Sequence, residues 1–287
     1  IIGEICYLQH TTFLKEILLF PPMMVVMKFG GTSLGDSKKI QNVCSLIKAR
    51  AKENPIVVVS AIGDITDTLI TIAEKAANGQ DVSKALAELD KQHQIILKEL
   101  SLPTNVVDNV LHAFHEVIDK IFVMESMNAE LWDEVQSFGE RLSCRIVAAA
   151  LKKINIEAKA YDAFDIGMIT TPHYGSAEPL PDTQENIANN LQNLKHIPII
   201  TGFIGKDSTG TITTLGRGGS DYSAAIIGAA INAKAIEIWT DVNGVMTADP
   251  KIANKASTID TLSFNEASEL SYFGAKVLHP KAILPAI

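Results

Sequence analysis

The chain alternates short apolar runs with longer amphipathic segments. Residues 23–29 and 56–60 are apolar runs of strand length, and between them Ile40, Val43 and Ile47 repeat at helical spacing within 37–52. Apolar runs without polar alternation are typical of strands that are covered on both faces. Strands that alternate with helices in this way predict βαβ units and a parallel sheet.

A long helical stretch interrupts this alternation. Residues 81–153 carry helical periodicity only, broken by turn signals at 101–103 and 127–128. Strand-like runs then return at 156–160, 197–201, 211–214 and 235–240, with helical patterns at about 183–195 and 220–232. We therefore predict an α/β fold with a mainly parallel central sheet and a helical insert, as one domain or as one domain with a lobe.

Small, hydroxyl-bearing and charged residues collect where the predicted strands end. Ligands of parallel sheets bind beyond the carboxyl ends of the strands, so these positions are expected to converge on one crevice. Five predicted strand ends carry such residues: Lys28 with Gly30 and Gly31, Ser60, residues 201–202, residues 217–221, and Thr240 with Asp241.

Two of these strand ends are glycine-rich loops that contain one cation each. Residues 215–222 read Leu-Gly-Arg-Gly-Gly-Ser-Asp-Tyr, and residues 28–33 read Lys-Phe-Gly-Gly-Thr-Ser. Glycines let the backbone approach a ligand closely, and Ser220 is a suitable N-cap for a helix whose free N–H groups would face an anion. The loops predict sites for two anionic groups, or for one polyphosphate and one carboxylate.

The motifs that the chain lacks limit the chemistry that these loops can support. The chain contains neither the P-loop sequence nor the dinucleotide-binding glycine pattern, and it lacks the motifs of eukaryotic-type protein kinases. What remains is a phosphate site of glycine amides and lysines, with carboxylates that can organise Mg²⁺. Phosphoryl transfer needs little more, because positioning and charge neutralisation supply most of its catalysis.

Composition excludes several classes of protein. The chain has 287 residues, 47% of them hydrophobic, a net charge of −8 and a pI of about 5.4. This charge argues against nucleic acid or an acidic membrane surface as a partner. The apolar runs are also far shorter than the roughly 20 residues needed to cross a bilayer.

The cysteines and the first residues bear on location. The three cysteines, Cys6, Cys44 and Cys144, are widely spaced, which supports neither a disulfide framework nor a thiolate zinc site, so a cytoplasmic location is expected. Residues 1–22 have no basic region of a signal peptide, and we interpret them as a non-essential extension before a domain that spans 23–287.

Six segments, in order along residues 23–287, resemble the successive signatures of aspartate kinase. They are Lys-Phe-Gly-Gly-Thr-Ser at 28–33, Val-Ser-Ala at 59–61, Ser-Phe-Gly-Glu-Arg at 137–141, the loop with its flanks at 214–222, Trp-Thr-Asp-Val at 239–242 and Phe-Gly-Ala-Lys-Val-Leu-His-Pro at 273–280. The resemblance implies the amino acid kinase fold, a three-layer αβα sandwich. It also implies an amino-acid-binding lobe at about 23–195 and an ATP-binding lobe at about 196–287.

The resemblance implies transfer of the ATP γ-phosphoryl group to the side-chain carboxylate of L-aspartate, with Mg²⁺ bound mainly through the ATP phosphates. Lys28 then stabilises the transferred phosphoryl group and Asp221 orients that lysine. Glu140 binds the α-ammonium group of aspartate and Arg217 a substrate carboxylate. The further substrate contacts implied are the hydroxyl groups of Ser60, Thr66 and Ser220.

For ATP, the resemblance implies contacts from both glycine-bearing and late segments of the chain. The implied nucleotide-binding residues are Lys28, Gly30, Gly31, Thr32, Ser33, Thr240, Asp241, Met246, Lys251, Lys276 and Val277. Two of them depart from the family pattern. Met246 stands where one branch has a tyrosine and can pack on adenine but loses a hydrogen bond, and Lys251 stands where arginine is usual and keeps the charge without the planar fork.

The chain ends where aspartate kinases continue into a last kinase strand and paired ACT domains. We therefore expect a truncated catalytic domain with one sheet edge left exposed, and a homodimer only for the full-length family form. Three functions remain open at this point. They are an active aspartate kinase, another enzyme of the same fold with a different acceptor, and a non-catalytic fragment or subunit that binds ATP or aspartate.

Overall fold

A computed structural model describes residues 3–5, 24–241, 244–248, 252–253, 255–272, 280–283 and 285. Its strands are β1 (Gly3–Ile5), β2 (Val25–Phe29), β3 (Ile56–Val59), β4 (Ala158–Tyr161), β5 (Ile197–Thr201), β6 (Ile204–Lys206), β7 (Ile212–Thr214) and β8 (Ala235–Thr240). Six of them form one sheet in the order β1-β8-β2-β3-β5-β4. All neighbours in this sheet pair in parallel except β1, which runs antiparallel to β8. The predicted parallel sheet is confirmed.

The helices lie on both faces of this sheet. They are α1 (Ser37–Ala49), α2 (Ile65–Ala77), α3 (Ser83–Glu99), α4 (Asp108–Met124), α5 (Ala129–Lys153), α6 (Thr183–Leu191), α7 (Gly219–Ala230), α8 (Phe264–Tyr272) and α9 (Pro280–Ile283). Helices α3, α4 and α5 fill the stretch for which the sequence predicted helices only. Within the described part of the chain, no helix is both long and apolar enough to span a membrane.

Two apolar cores separate the sheet from its helical layers. In β2, Met27 and Phe29 enter the core formed with α1 to α5, whereas Val26 enters the core formed with α6 and α7. In β3, Val57 and Val58 divide between the two cores in the same way. Successive side chains of a strand point to opposite faces, so strands that are apolar on both faces require two covering layers. The predicted three-layer αβα sandwich is confirmed.

The prediction for the strand before the arginine loop was wrong in one respect. Strand β7 is not part of the main sheet but pairs antiparallel with β6 in a separate hairpin. The Asp207 carboxylate stabilises the turn of this hairpin by accepting hydrogen bonds from the Thr209 and Thr211 backbone N–H groups. An alternating run of β-branched residues predicts a strand, but it does not determine which sheet the strand joins.

Strand β8 is paired with β1 over half of its length and with β2 on its other side. Gly3, Glu4 and Ile5 lie opposite Thr240, Trp239 and Ile238. At these three residues the edge of the sheet is therefore β1 and not β8. Of the predicted extension, residues 1–22, the structure describes residues 3–5 only.

Candidate active site

A cavity of about 510 Å³ lies at the carboxyl ends of β2 and β3. All of the predicted catalytic and substrate-binding residues line it: Lys28, Ser60, Thr66, Glu140, Arg217, Ser220 and Asp221. They come from two strand ends, one loop and three helices that are far apart in the sequence. The structure therefore brings these predicted residues together in one place.

Lys28 and Asp221 form an ion pair on one side of the cavity. Lys28 lies in β2, only 9% exposed, on the sheet face that α7 covers. Its Nζ is 2.6 Å from Oδ1 of Asp221 in the first turn of α7. A carboxylate at this end of a helix is also favoured by the helix dipole. The pair fixes the ammonium group at the cavity instead of letting it extend into solvent.

The glycines of the arginine loop allow its sharp path into α7. Gly216 and Gly218 have φ values of 79° and 69°, in the left-handed region that favours glycine. Gly218 is the N-cap of α7, so the prediction of Ser220 as N-cap was wrong. Ser220 lies in the first turn of the helix because the left-handed residue that starts α7 comes two positions earlier. It remains part of the cavity wall.

Glu140 brings a buried carboxyl group to the cavity from α5. The residue is 5% exposed, and its Oε2 has no hydrogen-bond partner among the described residues. Burial raises the pKa of Glu140 to about 8, against the opposing effects of the Ala61 backbone N–H and Lys28. A buried acceptor without a partner is costly, so this group is suited to receive a cationic part of a ligand.

The close approach of α5 to the end of β3 explains part of the Ser-Phe-Gly-Glu-Arg sequence. A Cβ atom on Gly139 would lie 2.7 Å from Cβ of Ala61 and 3.1 Å from Oγ1 of Thr66. The Ser143 hydroxyl donates a hydrogen bond to the Ser60 carbonyl oxygen at 2.7 Å. Only glycine fits between these two segments, and this contact places Glu140 beside Ser60 and Thr66.

Arg217 lies at the open side of the cavity. The residue is exposed and makes no ion pair within the part of the chain that the structure describes. Its guanidinium group is therefore available to an anion. With Lys28 and Glu140, it gives the cavity two cations and one buried acid, a set that complements an amino acid with an additional carboxylate.

Six of the predicted nucleotide residues lie beside the cavity, at the ends of β2 and β8: Gly30, Gly31, Thr32, Ser33, Thr240 and Asp241. The Gly30 N–H donates to the Trp239 carbonyl oxygen at 3.3 Å, and the Thr240 hydroxyl donates to Asp241 at 3.1 Å. Ser33 is buried below them, whereas Thr32 is exposed.

The remaining nucleotide predictions divide between described and undescribed residues. A Cβ on Gly31 would lie 2.8 Å from the Ala61 carbonyl oxygen, so this loop packs tightly against the end of β3. Met246 is half-buried and bridges to Thr258. Lys251, Lys276 and Val277 lie outside the described residues.

Sequence reasoning missed several residues of the cavity wall. Trp132, Gln136, Gly175, Phe203 and Thr214 line the same cavity. Trp132 and Gln136 precede Glu140 by eight and four positions on α5, a spacing that would have placed them on its face. Phe203 has φ of 68°, which is rare for a bulky residue and had no signal in the sequence.

Comparison with known proteins gives consistent results for most of the chain. The sequence profile described as amino acid kinase family matches residues 23–287. Aspartokinase 1, chloroplastic, of Arabidopsis thaliana is 40% identical over 271 residues, which are 91% of this chain and 48% of that protein. Lysine-sensitive aspartokinase 3 of Escherichia coli is 36% identical over 272 residues, which are 92% of this chain and 59% of that protein.

Solved structures of aspartokinases have folds similar to the fold of this chain. Escherichia coli aspartokinase III in complex with aspartate and ADP superposes with a TM-score of 0.79 at 33% identity, over 92% of this chain and 59% of that one. Clostridium acetobutylicum aspartate kinase gives a TM-score of 0.74 at 31% identity, over 91% and 57%. The chain spans about half the length of the Arabidopsis aspartokinases that it matches.

Proposed function

We propose that this chain, which belongs to the amino acid kinase family, transfers the γ-phosphoryl group of ATP to the side-chain carboxylate of L-aspartate. The product is 4-phospho-L-aspartate, and the reaction is the first step of lysine, threonine and methionine biosynthesis. The observation that carries the proposal is the cavity in which the Lys28–Asp221 pair, Arg217 and the Glu140 carboxyl converge. Oε2 of that carboxyl has no hydrogen-bond partner among the described residues. Relatives named as aspartokinases, and a similar structure in complex with aspartate and ADP, support it.

The chemistry requires cations more than it requires a base. The side-chain carboxylate of aspartate, with an ordinary pKa of about 3.9, is already ionised at neutral pH. One of its oxygens bonds to the γ-phosphorus while the bond from that phosphorus to the bridging oxygen breaks, and ADP leaves with the electron pair. Lys28 neutralises charge on the transferred group, and Asp221 keeps the Lys28 ammonium in position.

The amino acid is held by the other groups of the cavity. The Glu140 carboxylate receives the α-ammonium group and the Arg217 guanidinium binds a carboxylate in a bidentate manner. Ser60, Thr66 and Ser220 add hydroxyl contacts. The amino-acid lobe, about 23–195, contributes Lys28 and Glu140 to this site, and the ATP lobe, about 196–287, contributes Arg217 and Asp221.

The nucleotide lies along the ends of β2 and β8. Backbone groups of Gly30 and Gly31, with Thr32 and Ser33, contact its phosphates, and Thr240 and Asp241 contact its adenosine part. Met246, Lys251, Lys276 and Val277 complete the proposed set. Among the described residues, no group of three or more His, Cys, Asp or Glu side chains is arranged to hold a metal. We propose that Mg²⁺ is bound mainly by the ATP phosphates and helps to neutralise them.

A hydroxamate assay tests this proposal. The chain is incubated with ATP, Mg²⁺, hydroxylamine and L-aspartate, L-glutamate or no amino acid, and Lys28→Ala is the comparison. We expect product with aspartate only, and a fall in kcat on the order of 10²–10³ in Lys28→Ala, because a cation at the transferred group is lost. Product with another acceptor would favour a different enzyme of the same fold. A rise in melting temperature with ATP or aspartate but no product would favour a non-catalytic binding fragment.

Two further predictions concern the protein in the cell. A reducing, cytoplasmic location is consistent with Cys44 and Cys144, which are buried free thiols. A homodimer is proposed for the full-length form only.

A further inference from the structure

Asp133 is a buried carboxylate that the proposed chemistry does not use. The residue is 0% exposed and lies in the second turn of α5. Its Oδ2 accepts hydrogen bonds from the backbone N–H groups of Gly175 at 2.9 Å and Thr214 at 2.7 Å. Its Oδ1 accepts one from the Thr214 hydroxyl at 2.9 Å. The partners are 42 and 81 residues away in the sequence, so the carboxylate joins three separate segments.

The two segments that Asp133 contacts form the wall next to Arg217. Thr214 ends β7, and only Leu215 and Gly216 separate it from Arg217. The segment containing Gly175 is joined to β7 by a hydrogen bond from the Ala177 N–H to the Thr214 carbonyl oxygen at 2.8 Å. A Cβ on Gly216 would lie 2.9 Å from the Gly175 carbonyl oxygen, so this segment limits the path of the loop that carries Arg217.

Asp133 and Glu140 share one face of the same helix. They are seven positions apart, which is close to two helical turns and a rise of about 10.5 Å along α5. The helix is also joined to the end of β3 by the hydrogen bond from Ser143 to Ser60. A rigid element therefore carries Glu140 at one point and holds the start of the Arg217 loop at another.

We propose that Asp133 is a positioning residue that sets the distance between Arg217 and Glu140. The inference rests on the proposed function, in which these two groups bind the carboxylate and the ammonium group of one amino acid. The ordinary alternative is a carboxylate that only stabilises the β6–β7 hairpin. The two roles predict different results. A positioning residue affects mainly the binding of aspartate. A residue that only stabilises the hairpin affects folding and does not distinguish aspartate from ATP.

The chain offers a matched control in the same hairpin. Asp207 is also buried, and it too accepts hydrogen bonds from two backbone N–H groups, of Thr209 and Thr211, and from the Thr209 hydroxyl. Its Oδ2 accepts one more from the Tyr174 hydroxyl at 3.2 Å. Asp207 lies at the turn, at the opposite end of the hairpin from Thr214. Asp207→Ala therefore removes contacts of the same kind from the turn, and the Tyr174 contact with them, while the hydrogen bonds from Gly175 and Thr214 to Asp133 remain.

The first test compares steady-state kinetics of Asp133→Ala, Asp133→Asn and Asp207→Ala with the unchanged chain. We expect Asp133→Ala to raise KM for aspartate by about 10- to 100-fold, because small misplacements of binding groups have effects of this size, and to leave KM for ATP nearly unchanged. Asp133→Asn keeps an acceptor for both N–H groups and can donate to the Thr214 hydroxyl oxygen, so it should restore most of the aspartate affinity. Asp207→Ala should not change the ratio of the two KM values.

Three results would overturn the inference: equal changes in both KM values, an equal effect of Asp207→Ala, or no recovery in Asp133→Asn. If Asp133→Ala does not fold, Thr214→Val removes only the hydroxyl contact, and a selective rise in KM for aspartate is then the expected result. An unchanged ratio in a folded Thr214→Val would count against the inference.

Hydrogen exchange separates this inference from the proposed function, because it needs no activity. In Asp133→Ala, amide exchange should increase at Gly175 and through residues 214–219 while the amides of β3 and β5 stay protected. Absence of aspartate-dependent product in the unchanged chain would contradict the proposed function alone. Exchange that increases equally throughout the fold, or not at all at residues 214–219, would contradict the positioning role alone.

Discussion

At the scale of single residues, the site depends on charges held in a partly buried position. Lys28 is paired with Asp221, whereas Glu140 has an oxygen without a partner among the described residues. Burial disfavours the ionised form of Glu140 and raises its pKa to about 8. The carboxyl group that is proposed to bind an ammonium ion is therefore largely protonated at neutral pH in the empty site.

This protonation predicts that aspartate binding releases a proton. In the proposed complex the ammonium group binds the ionised form of Glu140, so with a pKa of about 8 the KM for aspartate should fall by about tenfold between pH 7 and pH 9. Calorimetric titration at pH 7 in two buffers of different ionisation enthalpy should give different apparent heats. Glu140→Gln should bind aspartate weakly and release no proton. Equal heats in both buffers for the unchanged chain would contradict this interpretation.

The raised pKa of Glu140 also predicts how the stability of the empty protein depends on pH. The free energy of unfolding should fall as the pH rises, whereas aspartate binding should become stronger. The pKa of Glu140 in the folded protein lies above its ordinary value of 4.5, so the contribution of this group to the free energy of unfolding is fully present below pH 4.5. It is lost progressively as the pH rises towards 8, because the unfolded chain ionises more readily. Glu140→Gln supplies the comparison here as well, since an amide cannot ionise.

At the scale of elements, the position of α5 against the end of β3 determines the shape of the cavity. Gly139 is the contact point, and the hydrogen bond from Ser143 to Ser60 lies one turn further along the helix. Asp133 lies near the start of the same helix, where Asn128 caps the first turn by accepting from the Leu131 N–H. One helix thus contributes the acid, the close contact and the support of the arginine loop.

The contact at Gly139 predicts an unusual sign for a helical substitution. Replacing glycine with alanine inside a helix normally stabilises it by up to about 1 kcal/mol. Here the new methyl group would lie 2.7 Å from Cβ of Ala61, so we expect Gly139→Ala to destabilise the fold by about 1–3 kcal/mol and to raise KM for aspartate. Denaturant unfolding and kinetics measure both effects.

Gly35 supplies the control for this substitution. Its φ is −61°, and a Cβ there would have no neighbour closer than 3.6 Å, which is ordinary contact. Gly35→Ala should therefore be tolerated. A Gly139→Ala protein as stable as the unchanged chain would show that the helix can move away without cost.

At the scale of the whole molecule, the sheet has one edge strand supplied by the predicted extension. Strand β1 pairs with Ile238, Trp239 and Thr240, and Thr240 is itself a proposed adenosine contact. Every proposed site residue nevertheless lies after residue 23. The extension thus supplies no proposed site residue, although it pairs with the strand that ends at Thr240.

Deleting residues 1–22 tests this separation. We expect the shortened chain to keep aspartate-dependent activity, because no site residue is removed. We also expect a lower melting temperature and greater self-association, because the backbone groups of β8 become unpaired. Gel filtration and thermal unfolding measure these changes. Loss of activity in a chain that remains folded would show that the extension belongs to the catalytic unit.

The sequence by itself determined the layers and most of the charged groups of the site. Apolar runs such as Ile56–Val59, buried along their whole length, require helices on both faces of the sheet, and glycines such as Gly216 and Gly218 mark a backbone that few other residues adopt. These properties are local, since they follow from periodicity and from residue type. The motifs of the amino acid kinase family then indicated which charged residues belong together.

Only the tertiary structure decided what each group contacts. It placed β7 in a hairpin instead of the main sheet, started α7 at Gly218 instead of Ser220, and joined Asp133 to residues 42 and 81 positions away. It also buried Glu140 and so raised the pKa of its carboxyl group. Such features depend on how distant elements pack, and packing is set by the whole chain, which no local pattern of residues contains.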